Sequence, residues 1–181
     1  MGDVCDEDDD NDGTTDTMDQ CPVGEMDWIV SQATDHDMDG CRDASEDYDD
    51  DNDAVIDIRD DCPTGDLGWT SSTLSDYDND GCRDIGEDYD DDNDNICDAG
   101  GNEAWNCLES STTVDECPQS QSTFTSMTSN DIDQDGCEDR NEDEDDDNDG
   151  FIDKHDDCPT EAGLSDSGRL FGCPDSDGDG Y

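Results

Sequence analysis

Between residues 76 and 95 the chain carries ten carboxylates, Glu87 and nine aspartates, against one cation, Arg83. The whole sequence shares that imbalance: 60 acidic residues face 6 lysines and arginines, for a formal net charge of -54. Self-repulsion on this scale opposes any compact state unless positive charge is bound. Apolar burial is a weak counterweight, because hydrophobic residues make up 27% of the chain and eleven of them are cysteines. Composition alone describes a disordered polyanion. Two features oppose that description. Eleven cysteines suit a disulfide-stapled secreted protein, and the acids recur at regular intervals.

The recurrence has a fixed phase. Cys-Pro pairs begin at Cys21, Cys62, Cys117 and Cys158, with spacings of 41, 55 and 41 residues. Three are followed twenty residues later by the cysteine of an Asp-Gly-Cys triplet, at Cys41, Cys82 and Cys137. This frame divides the chain into a partial repeat over 1–20, repeats over 21–61, 62–116 and 117–157, and a partial repeat over 158–181. The excess length of the 62–116 repeat is assigned to an inserted disulfide loop at about 99–112. Trp28, Trp69 and Phe124 each follow a Cys-Pro cysteine by seven residues and are read as packing caps over the neighbouring disulfide.

The acids within each repeat fit a twelve-residue calcium-loop template. In the first type of loop Asp35, Asp37 and Asp39 hold positions 1, 3 and 5, Gly40 position 6, Cys41 position 7, Asp43 position 9 and Glu46 position 12. Asp76, Asp78, Asp80, Cys82, Asp84 and Glu87 repeat the pattern, as do Asp131, Asp133, Asp135, Cys137, Asp139 and Glu142. A second type starts fourteen residues after the first and ends in Asp. It comprises Asp49, Asp51, Asp53, Asp57 and Asp60, then Asp145, Asp147, Asp149, Asp153 and Asp156, with an N-terminal copy at Asp8, Asp10, Asp12, Asp16 and Asp19. A seventh loop starts at Asp90 with Asp92, Asp94 and Asp98, but its position 12 falls on Gly101. Excising 99–112 aligns Asp115 with Asp60 and supplies the missing acid. Asp175, Asp177 and Asp179 begin one more loop at the end of the chain.

The chemistry follows from the spacing. Alternate side chains on a tightly turned backbone converge on one centre, and glycine at position 6 supplies the turn. The cysteine at position 7 offers its carbonyl, and hard oxygen donors in this number select Ca2+ over zinc or copper. The expected cofactor is therefore calcium, about seven or more ions. Glu at position 12 can bind through both oxygens and Asp through one, so the second-type loops are expected to be weaker. Ala54 and Asn95 replace the glycine, which makes the Asp49 loop the weakest complete site. Asp50, Asp91 and Asp146 lie off the template, as solvated charges or bridges between ions. His36 and His155, at positions 2 and 11, are expected to be exposed.

Zinc suits these cysteines poorly, because no Cys-x2-Cys spacing occurs. Sequential disulfides fit better: Cys21 to Cys41, Cys62 to Cys82, Cys97 to Cys107, Cys117 to Cys137 and Cys158 to Cys173, leaving Cys5 for a partner elsewhere. With no sustained apolar period, and Asp and Gly disfavouring helix and strand, the expected fold class is mostly irregular coil. It is a disulfide-stapled array of calcium-loop repeats with little helix or strand. The half-loop at Asp175 suggests continuation of a longer repeat chain, or head-to-tail self-assembly in which Asp3 and Asp6 of another copy complete it. The first ten residues, MGDVCDEDDD, lack the basic and apolar regions of a signal peptide, so a targeting element is expected outside this sequence. No apolar run approaches the ~20 residues of a membrane span, so membrane insertion is not expected. Nucleic acid and anionic membranes would be repelled.

The segments DSDGDG and GDVCDEDDDNDG, and the pattern D-x-D-x-D-G-x2-D-x2-D-x-C-P from Asp8 to Pro22, resemble thrombospondin type-3 repeats over nearly the whole chain. The resemblance implies a calcium-replete, disulfide-linked array wound around its ions, with a structural role in extracellular matrix or on cell surfaces. The Ser/Thr-rich connector and the 41-residue period depart from the animal version and look more like repetitive secreted proteins of marine prokaryotes. No nucleophile, base and orienting group occur in a plausible arrangement, so an enzyme is not expected. The leading expectation is a calcium-rigidified spacer, adhesin stalk or extracellular fibre subunit. The alternative is an acidic protein that buffers calcium or engages mineral.

Overall fold

The computed structural model describes residues 6–98, 107, 114–120, 124–166 and 170–175. Asp3, Cys5, Gly101, most of the 99–112 excursion, Asp177 and Asp179 lie outside them, and so do the readings placed there. The chain forms two units, Met1–Asp88 and Tyr89–Tyr181. Among the described residues the one helical element is a single 3-10 turn, Asp57–Arg59. The remainder is turns, bends and irregular backbone, with one isolated bridge residue at Ile96, the outcome that dense Asp and Gly favour.

The interior is inverted relative to an ordinary domain. Eight hydrophobic residues are buried among those described, and five of them are cysteines; Trp28, Ile96 and Phe124 complete the set. Fourteen aspartates are buried beside them, Asp12, Asp35, Asp53, Asp76 and Asp131 with no exposed surface at all. Carboxylates and cystines therefore occupy the space that leucine and valine fill elsewhere.

One backbone path recurs in all seven loops. Position 4 is left-handed in each, with φ between 55° at Asn148 and 65° at Met38, and so is position 6, with φ between 80° at Asn95 and 105° at Gly13. The left-handed region costs an ordinary residue about 1–2 kcal/mol, and Asn tolerates it best after glycine. Five of the position-4 residues are Asn; Met38 and Gln134 are the exceptions. The amide of position 9 closes the loop on the carbonyl of the residue before position 1, as in Asp57 to Tyr48 at 3.0 Å and Asp153 to Glu144 at 2.9 Å.

The five disulfides pair sequentially: Cys21–Cys41, Cys62–Cys82, Cys97–Cys107, Cys117–Cys137 and Cys158–Cys173. A cross-link over twenty residues is worth about 3 kcal/mol in the chain-entropy account. It also lays each first-type loop against the end of the second-type loop before it. Asp61 donates its amide to the Asp80 carbonyl at 2.8 Å, and a methyl group at Gly81 would collide with the Asp60 carboxylate. The same arrangement joins Gly40 to Asp19 and Gly136 to Asp115.

A fourth copy occurs where the sequence shows no Asp loop. Gly172 meets Asp156, and the Asp157 amide reaches the Phe171 carbonyl at 2.9 Å. Phe171 thus stands where Asp39 and Asp80 stand, and it packs against Phe151 with ring centroids 6.4 Å apart. Trp28 and Phe124 are buried, while Trp69 is half-buried. Two residues beyond these aromatics the connector returns to the preceding loop, Val30 to Asp12 at 3.0 Å, Ser71 to Asp53 at 2.8 Å and Ser126 to Asp94 at 2.8 Å.

Two kinds of position-6 glycine follow from this packing. Gly150 has open space around it and needs only its φ of 97°, whereas Gly81 at φ 93° also admits the Asp60 carboxylate. In calcium-saturated thermal unfolding, Gly150→Ala should cost about 1 kcal/mol. Gly81→Ala should cost clearly more; equal losses would show that the close approach carries no weight.

Candidate metal centres

Each loop builds its centre from backbone amides outward. In the Asp49 loop the Asp53 amide donates to Asp49 Oδ1 and Asp51 Oδ1, both at 3.2 Å, and the Ala54 amide donates to Asp49 Oδ2 at 3.1 Å. The Val55 amide then donates to Asp53 Oδ1 at 2.6 Å. The Asp76 loop repeats this, with the Asp80 amide on Asp76 Oδ1 at 3.1 Å and on Asp78 Oδ1 at 3.2 Å. These bonds fix the carboxylates at positions 1, 3 and 5 so that they converge. Asp8 with Asp10 and Asp12, Asp35 with Asp37 and Asp39, Asp49 with Asp51 and Asp53, and Asp76 with Asp78 and Asp80 each bring three oxygens within 4.8 Å of one another.

The oxygens left over test whether a cation fits. Asp12 Oδ2, Asp53 Oδ2, Asp60 Oδ2, Asp94 Oδ2 and Asp115 Oδ2 are buried without a hydrogen-bond partner, and so are both carboxylate oxygens of Asp147. A buried carboxylate oxygen with no donor is strongly unfavourable unless a positive charge faces it. Such oxygens on residues of the converging triads, all hard donors, suit a cation of the calcium type.

Burial and mutual repulsion act on the same groups. Burial pushes the Asp115 carboxyl up to about 8, with the charges of Asp94, Asp92 and Asp98 adding to it. Asp60 and Asp94 rise to about 7 for the same two reasons. Asp19, Asp39, Asp53, Asp80, Asp92 and Asp135 rise to about 6, with burial the largest cause in each. Asp133 reaches about 7 through burial and the charges of Asp135, Asp143 and Asp131.

The second-type loops place position 12 beside the rest of the template. Asp60 lies near Asp51 and Asp53, and its Oδ1 accepts the Cys62 amide at 2.6 Å. Asp19 and Asp156 do the same for Cys21 and Cys158. Asp115 takes the corresponding place in the Asp90 loop, with its amide on the Cys97 carbonyl at 3.1 Å. In the last loop Asp145 accepts the Gly150 amide, and Asp149 accepts those of Phe151 and Gly163.

The remaining template positions also make hydrogen bonds of their own. The aspartates at position 9 clip the amide of position 2 in every loop: Asp16, Asp43, Asp57, Asp84, Asp98, Asp139 and Asp153 all accept it. Cys41, Cys82 and Cys137 are buried in disulfides, with their amides on the position-5 carboxylates. Glu46, Glu87 and Glu142 lie against the connector rather than over their own loops, Glu46 accepting the Glu25 amide at 2.5 Å. The charge of the residue after each Glu is among those acting on position 5: Asp47 with Asp37 on Asp39, Asp88 on Asp80 and Asp143 on Asp135.

Two side chains off the ligand positions, Asp50 and His36, are also placed by the structure. Asp50 joins Asp43 and Asp47 in a further group that could hold a metal ion, and burial with the charges of Asp57 and Asp43 raises it to about 7. His36, expected to be exposed, is half-buried and its Nε2 bonds the Gly65 carbonyl at 2.9 Å, because the following repeat's connector packs over the loop. His155 is exposed.

These features define a disulfide-stapled, Asp-rich repeat protein of irregular backbone with several groups able to hold metal ions. No protein-family model matches the chain, and no curated protein matches it. Among the described residues no helix is long and apolar enough to cross a membrane.

The raised carboxyls set a pH dependence. Without a cation beside them, the folded carboxylates hold protons that the unfolded chain has already released above about 4. Compaction is therefore favoured at low pH and increasingly disfavoured above about 4, the loss being complete once pH has passed the folded values of about 6 to about 8. A bound cation replaces those protons. Calcium titrations should give weaker binding at pH 6 than at pH 8, with proton release on binding; affinity independent of pH across this range would contradict the assignment.

Proposed function

We propose that the chain is a calcium-binding structural segment of a secreted or cell-surface protein, a spacer, stalk or fibre subunit rigidified by its ions. The observation that carries this reading is the set of buried, unpartnered Asp oxygens recurring at template positions 5 and 12 in phase with the disulfide frame. Calcium binding in the folded state alone links ion concentration to rigidity by mass action. Disulfides suit an oxidising compartment, and the resemblance to thrombospondin type-3 repeats points the same way. The carboxylates are committed to cation binding and to holding the backbone, which leaves the chain a structural rather than a catalytic role.

A calcium buffer differs in one respect: it has no need of a fixed shape. Small-angle scattering of the oxidised chain in millimolar calcium should give a compact, reproducible profile, with a clear rise in radius of gyration after chelation and full recovery on adding calcium back. A profile that ignores chelator, expanded or compact, would refute the structural reading and leave a buffer or an ion-independent scaffold.

A further inference from the structure

The glutamates that end the first-type loops lie beside the second-type loop that precedes their own. Glu87 Oε1 accepts the Asp66 amide at 2.5 Å while Asp51 Oδ2 accepts the neighbouring Gly65 amide at 2.9 Å. A methyl group on Gly65 would lie 2.6 Å from Glu87 Oε1 and 2.9 Å from Asp51 Oδ2. Two carboxylates 36 residues apart thus flank one α-carbon. Like charges brought together under burial repel, so their approach needs a reason.

The arrangement occurs three times. Gly24 donates its amide to Asp10 Oδ2 at 2.8 Å, and a methyl group there would lie 2.7 Å from Glu46 Oε1. In the next unit Ser120 replaces the glycine and spans the pair directly, its amide on Asp92 Oδ2 at 2.5 Å and its hydroxyl on Glu142 Oε2 at 2.6 Å. Arg42 and Ser45 hold the first of these turns in place by gripping Glu25 at 2.9 and 2.6 Å.

A separate observation points to a ligand at the same places. Asp12, Asp53 and Asp94, at position 5 of these three loops, are 0%, 0% and 1% exposed, and each has Oδ2 without a partner. Asp60 and Asp115, buried at 7% and 6% exposure beside Asp51 and Asp92, have the same orphan oxygen. Glu46 Oε2 and Glu87 Oε2 are likewise buried and without a partner.

We propose that the cation of a second-type loop is shared with the following repeat, with Glu46, Glu87 and Glu142 as ligands to the Asp8, Asp49 and Asp90 loops. The inference rests on the calcium-binding reading above and adds which carboxylates meet at each ion. Asp51, Asp53, Asp60 and Glu87 together offer the several hard oxygens that calcium takes. The ion then ties two consecutive repeats together, beside the disulfide, such as Cys62–Cys82, that closes the start of the second of them. It also gives the Asp49 loop, which lacks the position-6 glycine, an extra anionic ligand.

Long-wavelength anomalous diffraction from crystals of the oxidised full chain grown in calcium locates each ion directly. The wild-type map should show an ion bounded by Asp51, Asp53 and Asp60 with a Glu87 oxygen about 2.3–2.6 Å away. In Glu87→Gln that peak should be lost while the peak at Asp76, Asp78 and Asp80 remains. Glu87 bonded to the Asp76 ion, Glu87 bonded to no ion, or both peaks surviving the substitution would overturn the shared site and leave calcium binding intact. No peak in any loop would overturn calcium binding itself. If Glu87→Gln does not fold, the wild-type distances decide.

Discussion

A carboxylate oxygen buried with no donor facing it is among the least stable groups a protein can contain, and this chain gathers such oxygens in clusters. Asp53 Oδ2 and Asp60 Oδ2 are orphaned on two neighbouring aspartates, and Asp94 Oδ2 and Asp115 Oδ2 on another such pair. Hydrogen bonds from the loop amides satisfy one oxygen of these residues and leave the other inward. In the proposed reading, positive charge at these places is the condition on which the remaining structure depends, since the few buried apolar residues cannot offset repulsion among 60 acids.

Covalent and non-covalent devices divide the task of ordering the backbone. Disulfides such as Cys62–Cys82 remove entropy from the unfolded chain and fix which loop follows which. The position-6 glycine then admits the closing Asp of the preceding loop, so Gly81 serves both a left-handed turn and the approach of Asp60. Position-9 aspartates clip position 2, and the left-handed Asn at position 4 turns the chain between the carboxylates at positions 3 and 5. Where the Asp loop is absent, at Phe171 and Gly172, the same stacking is kept with an aromatic pair in place of acids.

The local part of this design was legible in the sequence. Positions 1, 3, 5 and 6 are separated by one or two residues, so their convergence follows from backbone geometry alone. The cysteine period likewise revealed the pairing, and the 14-residue excess identified Asp115 as the partner of the Asp90 loop. What could not be read was any contact set by how one loop lies on another. Glu87 beside Asp51, His36 on Gly65 and the Gly172 to Asp156 contact all depend on that stacking. Asn at position 4 of five loops was a visible signal of a second left-handed residue that the calcium template overlooked.

Amide hydrogen exchange on the oxidised chain tests most directly whether cations hold this backbone in place. In calcium, the amides at positions 5, 6 and 7 of the loops, such as Asp53, Ala54 and Val55, should be strongly protected. Chelation with every disulfide intact should remove that protection from all loops. Protection that survives chelation would mean that cystines and hydrogen bonds alone maintain the fold, and would contradict the account.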